Sequence, residues 1–162
     1  MSTFILLSAM PGSGKSTWAK RYQRQNPNVE IVSSDEIRSE LNGDAGDQSN
    51  PRLIWAEYLR RIKLHEKGEE VTVIGDSTNL TNYFRTYYAE EAAPRYDKKV
   101  LVVFDVSYEV CLQRNNARTE RVVPPQAMEA LRKEYEPLSE EAASLYDEIY
   151  VVDENGQAKR IK

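Results

Sequence analysis

The run Ala9-Met10-Pro11-Gly12-Ser13-Gly14-Lys15-Ser16-Thr17 sets two glycines, a lysine and three hydroxyls in the spacing that cradles phosphate. Gly12 and Gly14 give the backbone the freedom to turn N–H groups toward phosphate oxygens. Lys15 would neutralise charge on the β- and γ-phosphates, and Ser16 would offer its hydroxyl to Mg²⁺. Ser13 and Thr17 fill out the cofactor-binding run. The usual first glycine of the pattern is Ala9 here, at a position that closes a strand and mainly needs a small side chain. The chemistry implied is the binding of a nucleoside triphosphate such as ATP.

Three further groups are spaced to act on that phosphate. The stretch Ser33-Ser34-Asp35-Glu36-Ile37-Arg38 has the form of a capping box, with Ser33 and Glu36 at the reciprocal positions. Asp35 then falls in the first helical turn, where an ionised carboxylate could accept the proton of an attacking hydroxyl. Arg38 lies three residues on, on the same face, and could hold an anionic group of the acceptor. The same pattern also fits an aspartate that only complements the helix dipole beside a solvated arginine. Its own partner is left open by the sequence.

Asp76 follows four apolar strand residues, the Walker B position, and could hold Mg²⁺ directly or through water. Thr78 and Asn79 add short polar groups at the same edge, as substrate contacts or as turn and cap residues. Arg114, Arg118 and Arg121 recur at i, i+4 and i+7, one face if the helix runs that far. They would form a lid over about 114–125 that neutralises the transferring phosphoryl group, or else a solvated basic face. The neighbouring valine-proline break favours a hinge. No N-K-x-D base-reading segment follows a later strand, which argues against a GTP switch.

These groups need elements to hold them. Apolar runs at 3–9, 29–33, 71–75, 99–106 and 148–152 alternate with helical segments, the signature of a mostly parallel α/β sheet. The expected fold is an α/β three-layer sandwich of P-loop NTPase type, five-stranded, with helices on both faces and an arginine-bearing lid. Helices are expected over 15–25, 51–67, 81–92, 108–117 and 125–136. Asn50 can cap the second, Pro51 can begin it, and Trp55, Leu59 and Ile62 share a face. Residues 41–50 read as a mobile surface loop. The tail from Asp153 is a hairpin turn around Asn155 and Gly156 or a frayed end.

The 162 residues suit one domain over 1–162, with 40% apolar and 30% charged residues. A net charge of -4 offers no bulk attraction to nucleic acid, although a local basic groove is compatible with it. One cysteine, Cys111, excludes an internal disulfide and fits a reducing cytoplasm. No run reaches membrane-spanning length, and the N-terminus lacks the basic region of a secretory signal. His65 falls on an expected surface helix and is not a base candidate. Tyr83, Tyr87 and Tyr88 have the helical spacing of core residues before that of a stacking surface.

The sequence resembles the polynucleotide 5′-hydroxyl kinases in "PGSGKSTWA", "SDEIR", "DSTNL", "VFDV", "RNNAR" and the following "VP". The resemblance is to the kinase module alone, since the D-x-D-x-T motif of the family's phosphatase domain is missing. It implies an ATP- and Mg²⁺-dependent kinase whose partner is the 5′-hydroxyl end of DNA or RNA. Asp35 would be the general base, and Arg38 the grip on an acceptor phosphate. Lys15 and Arg118 would contact the transferring group, with Ser16 on the metal and Arg114 near the donor. Two alternatives remain. One is a related kinase of a small-molecule, nucleoside or aminoacyl-tRNA hydroxyl. The other is a non-catalytic regulatory module, which would be expected to have lost Lys15, the base or the lid arginines, all of which are present.

Overall fold

The computed structural model describes all 162 residues. Its strands are β1 (Ser2–Ser8), β2 (Val29–Ser33), β3 (Val71–Asp76), β4 (Lys98–Phe104), β5 (Glu148–Val152) and β6 (Ala158–Arg160). They form one sheet in the order β2-β3-β1-β4-β5-β6. The first five are parallel, and β6 pairs antiparallel with β5. Helices α1 (Lys15–Gln25), α2 (Ser34–Asn42), α3 (Pro51–Ile62), α4 (Asn82–Ala92), α5 (Tyr108–Asn116), α6 (Pro125–Glu134) and α7 (Glu140–Ser144) complete the chain.

β1 runs through the middle of the sheet and is apolar on both sides, as a parallel strand covered on both faces must be. Phe4 and Leu6 enter one core with Ile54, Tyr58, Ile62 and Tyr88. Ile5 and Leu7 enter the other, with Ala19 and, at its margin, Trp18 and Tyr22. Because all five parallel strands point the same way, their C-terminal ends share one edge. Ser33 at the end of β2 is in register with Asp76 at the end of β3. The loops that follow β1, β2 and β3 therefore converge.

Several features differ from the sequence reading. The sheet has six strands rather than five, because the tail takes the hairpin alternative. Asp153 organises that turn by accepting N–H bonds from Asn155 and Gln157 at 2.9 and 3.0 Å. All three β6 residues are exposed, so no apolar pattern announced the strand. α3 stops at Ile62 instead of running to 67. The Tyr96 hydroxyl donates to the Ile62 carbonyl at 2.5 Å, occupying an acceptor the next turn would need. His65 consequently lies in the loop beyond the helix. The buried stripe of α3 is Ile54, Tyr58 and Ile62, while Trp55 is 36% exposed at the rim.

Asn50 occupies the N-cap position of α3 in a left-handed conformation, but its side chain makes no cap bond. α7 is new. Its five residues are too few to show a period, and Ser139 caps it through the Ala142 N–H at 3.1 Å. The loop over 43–50 is organised by Asn42, whose amide donates to the carbonyls of Asp47 and Ser49. No helix is long and apolar enough to cross a membrane.

Candidate active site

The loop between β1 and α1 is built for anions. Gly12 and Gly14 both adopt positive φ, 83° and 95°, which L side chains avoid. Gly14 is the N-cap of α1 with no side-chain cap, so the first N–H groups of the helix are open to a ligand. Gly12 has a second constraint, since a Cβ there would stand 2.3 Å from the Cys111 carbonyl oxygen of α5. Lys15 is buried at the first position of α1. Ser13 is buried too, and its hydroxyl has no partner within the protein. Thr17, one residue beyond Ser16, is exposed. Trp18 packs edge-on against Phe104 and stacks on Tyr22, which fixes α1 to the sheet face.

Ser16 and Asp76 come together as the spacing predicts. The Ser16 hydroxyl donates to Asp76 Oδ2 at 2.9 Å, and Asp76 is only 5% exposed. Its other oxygen, Oδ1, is buried without a partner. A buried carboxylate oxygen left unsatisfied beside a phosphate cradle fits a hard divalent cation, whose remaining ligands would be phosphate oxygens and water. No group of three or more His, Cys, Asp or Glu side chains gathers to hold a metal without a nucleotide.

Beside this pair lies the start of α2. Ser33 caps it by accepting the Glu36 N–H at 3.3 Å. Asp35, with 44% of its side chain exposed, accepts from Arg38 Nη1 at 2.9 Å. Arg38 is far more covered, at 13%, because its guanidinium lies over the Trp55 indole, 5.6 Å from the ring centroid. The partner of Arg38 is therefore Asp35 itself, seated on an aromatic face from α3. Thr78 contributes its carbonyl to the Ala9 N–H at 2.8 Å. Asn79 is buried and left-handed, and its amide donates to the Leu7 carbonyl at 2.9 Å. It ties the end of β1 to the turn after β3, and that amide is spent there.

The three arginines separate. α5 ends at Asn116, so the common helical face the spacing would give does not form. Arg114 reaches back over the phosphate loop, 3.4 Å from the carbonyls of Gly12 and Ser13 and 2.6 Å from that of Glu154. Arg118 is exposed and contacts only the Arg121 carbonyl, at 3.5 Å. Arg121 is the one drawn to the side of Ser16 and Asp76. It has φ 56°, and it lines a small recess with Ser16, Lys20, Ser33, Glu36 and Asp76. Buried Asn115 clamps the end of this loop by exchanging two bonds with the Val123 backbone. The sequence reading missed Lys20 and placed Glu36 only as a capping-box residue. The four-residue step from Ser16 to Lys20 along α1 was the available signal. Cys111, behind the loop, is buried, and that burial pushes its thiol pKa up.

The model of the AAA domain family matches residues 5–138, from β1 through α6. Among solved structures, Kti12 of Chaetomium thermophilum in complex with ADP-AlF3 aligns with a TM-score of 0.72 at 16% identity, over 93% of this chain and 88% of that one. A chain of the Pnkp1/Rnl/Hen1 RNA repair complex aligns at 0.71 and 19% identity, over 99% of this chain and 49% of that one. A gluconokinase from Sinorhizobium meliloti aligns at 0.59 and 17% identity, over 93% and 82%. At such identities the likeness is one of fold alone, an α/β sandwich around a mostly parallel sheet.

Proposed function

The chain belongs to the AAA domain family, and on that premise we propose that it is an ATP-dependent kinase that phosphorylates a hydroxyl group held beside Asp35. The observation that carries this is the convergence of Gly12–Ser16, the Ser16–Asp76 pair and the Asp35–Arg38 pair on one sheet edge. A pure nucleotide-binding module needs the first of these and has no use for the last.

The chemistry follows from those positions. The phosphate-loop N–H groups and Lys15 hold the β- and γ-phosphates of ATP, with Arg114 above the loop. Ser16 and Asp76 would hold Mg²⁺, which when bound draws charge from the β- and γ-phosphate oxygens. Asp35 accepts the proton of the acceptor hydroxyl as its oxygen bonds to the γ-phosphorus. The bond from the γ-phosphorus to the β,γ-bridging oxygen breaks, and ADP leaves with that electron pair. Arg38 holds Asp35 toward the acceptor and offers its remaining N–H groups to an acceptor anion. Arg118 joins the transferring phosphoryl group when the loop beyond α5 closes. Thr78 and Asn79 border the acceptor, Asn79 through the turn it stabilises.

For the acceptor itself we propose the 5′-hydroxyl end of a polynucleotide. The support is the Asp35–Arg38 pair on an aromatic face, a base and an anion grip set one helical turn apart. The resemblance in "SDEIR" and "DSTNL" points the same way. A small-molecule hydroxyl is the second reading, favoured by the gluconokinase among the similar folds. Transfer of label from γ-labelled ATP to a panel of 5′-hydroxyl DNA, 5′-hydroxyl RNA, a 3′-mononucleotide and sugar acids separates the two. Labelled sugar acid with unlabelled oligonucleotide ends would replace the first acceptor by the second.

A further inference from the structure

Among the charged residues that the mechanism above leaves unused, one is the most deeply buried charged residue in the molecule. Arg85 on α4 is 0% exposed and makes no ion pair with any carboxylate. Burying a cation without an anion costs several kcal/mol, so neutral partners must hold it in place. Burial depresses its pKa, opposed by Tyr135, Glu136 and Tyr146.

Those partners are specific. Arg85 Nε donates to Ser8 Oγ at 3.1 Å, and Nη1 donates to Asn82 Oδ1 at 2.8 Å. Its guanidinium also lies 5.9 Å from the Tyr135 ring centroid, while Nη2 is buried with no partner. Ser8 is the last residue of β1, immediately before the phosphate loop, and its hydroxyl donates to the Asn79 carbonyl at 2.8 Å. Asn82 receives the Ser139 N–H and donates to the Pro137 carbonyl, and its own N–H goes to Glu136. Tyr135 is the C-cap of α6, the helix that follows the arginine loop. One guanidinium therefore joins the strand end that launches the phosphate loop, the turn after Asp76, and the exit from the lid helix.

We propose that Arg85 is a positioning residue of the donor site, setting the phosphate loop and the lid exit against one another so that bound phosphate meets both. Its positive charge lies unpaired beneath the loop, so it also favours a polyanion there over a neutral ligand. The inference rests on the reading that the loop holds a nucleotide, and it does not depend on which acceptor is used.

The test is calorimetric binding of Mg-ADP and of adenosine to the full chain, with thermal unfolding recorded alongside. Arg85→Met keeps most of the volume and removes the charge and the donors. It is expected to weaken Mg-ADP by roughly three- to thirtyfold, the size of effect that positioning residues carry, with adenosine unchanged. Arg85→Lys is expected to recover part of that loss by restoring the charge. Folded Arg85→Met with wild-type Mg-ADP affinity overturns the proposal, and so does an equal loss for adenosine. Should Arg85→Met not fold, Tyr135→Leu removes the half-exposed ring under the guanidinium, with weaker Mg-ADP expected and unchanged affinity contradicting the proposal. A wild-type chain that binds no Mg-ADP would sink the kinase reading instead.

Discussion

At the scale of single residues, the site depends on a few atoms whose replacement has distinct signatures. Gly12→Ala drives a methyl group into the Cys111 carbonyl, 2.3 Å away, at a positive φ. Loss of Mg-ADP binding in a chain that still folds is the expected result, measured by calorimetry. Asp35→Asn keeps the shape and a hydrogen-bond acceptor for Arg38 while removing the carboxylate proposed as the base. Its kcat is expected to fall by about a hundredfold or more, the usual share of general base catalysis, with Mg-ADP affinity unchanged. Asp76→Asn should weaken the nucleotide chiefly in the presence of Mg²⁺, because the buried Oδ1 of the wild type is then replaced by a neutral group.

The residues behind these predictions were legible to different degrees. The phosphate loop was readable because its chemistry is mostly backbone geometry, which glycine spacing encodes directly. Asp76 was readable because the end of an apolar run fixes the sheet edge. The seat of Arg38 on Trp55 was not, since it joins two helices across a loop. Arg121 was hidden for a different reason, because its approach to Ser16 and Asp76 depends on a positive φ after α5 ends. Arg85 carries no local signal at all. Nothing in "TNYFRTYY" distinguishes a solvated arginine from one sealed beneath β1.

Among the elements, α2 and α3 work as a pair, and the caps matter to the site as well as to stability. Ser33 both ends β2 and caps α2, so Ser33→Ala is expected to cost about 1 kcal/mol of stability. Denaturant unfolding at constant m-value measures it. Because Asp35 lies in that first turn, the same change should also lower kcat. Trp55→Leu leaves the cap intact but removes the seat of Arg38. It is expected to raise KM for the acceptor more than KM for ATP, and Trp55→Phe should recover most of the loss. The parallel strands and most helices followed from periodicity. α7 and β6 did not, because one is shorter than the helical period needs and the other buries nothing.

Across the whole molecule, the sheet edge that holds the site is opposite an electrostatic clasp at the other end. His65 bridges Glu30 and Glu69 at 2.8 Å each. Partial burial lowers its pKa, but the two carboxylate bonds win and the net shift is upward. A histidine raised above its unfolded value stabilises fully below about pH 6.5 and loses that contribution as pH rises through the folded value. The denaturation midpoint should therefore fall between pH 6 and pH 8 by more in the wild type than in His65→Gln. The clasp is remote from Asp35, so catalysis and this component of stability are separable. The sequence offered His65 only as a non-candidate for the base, and its real partners are brought close by the β2–β3 pairing.

The most direct test of the account is γ-phosphate transfer from Mg-ATP by the wild type and by Asp35→Asn, followed by label on 5′-hydroxyl oligonucleotides and on small hydroxyl acceptors. The account predicts label at the oligonucleotide 5′ end with wild type and nearly none with Asp35→Asn, although both bind Mg-ADP equally. Full transfer by Asp35→Asn, or nucleotide binding with no transfer to any hydroxyl, would contradict it.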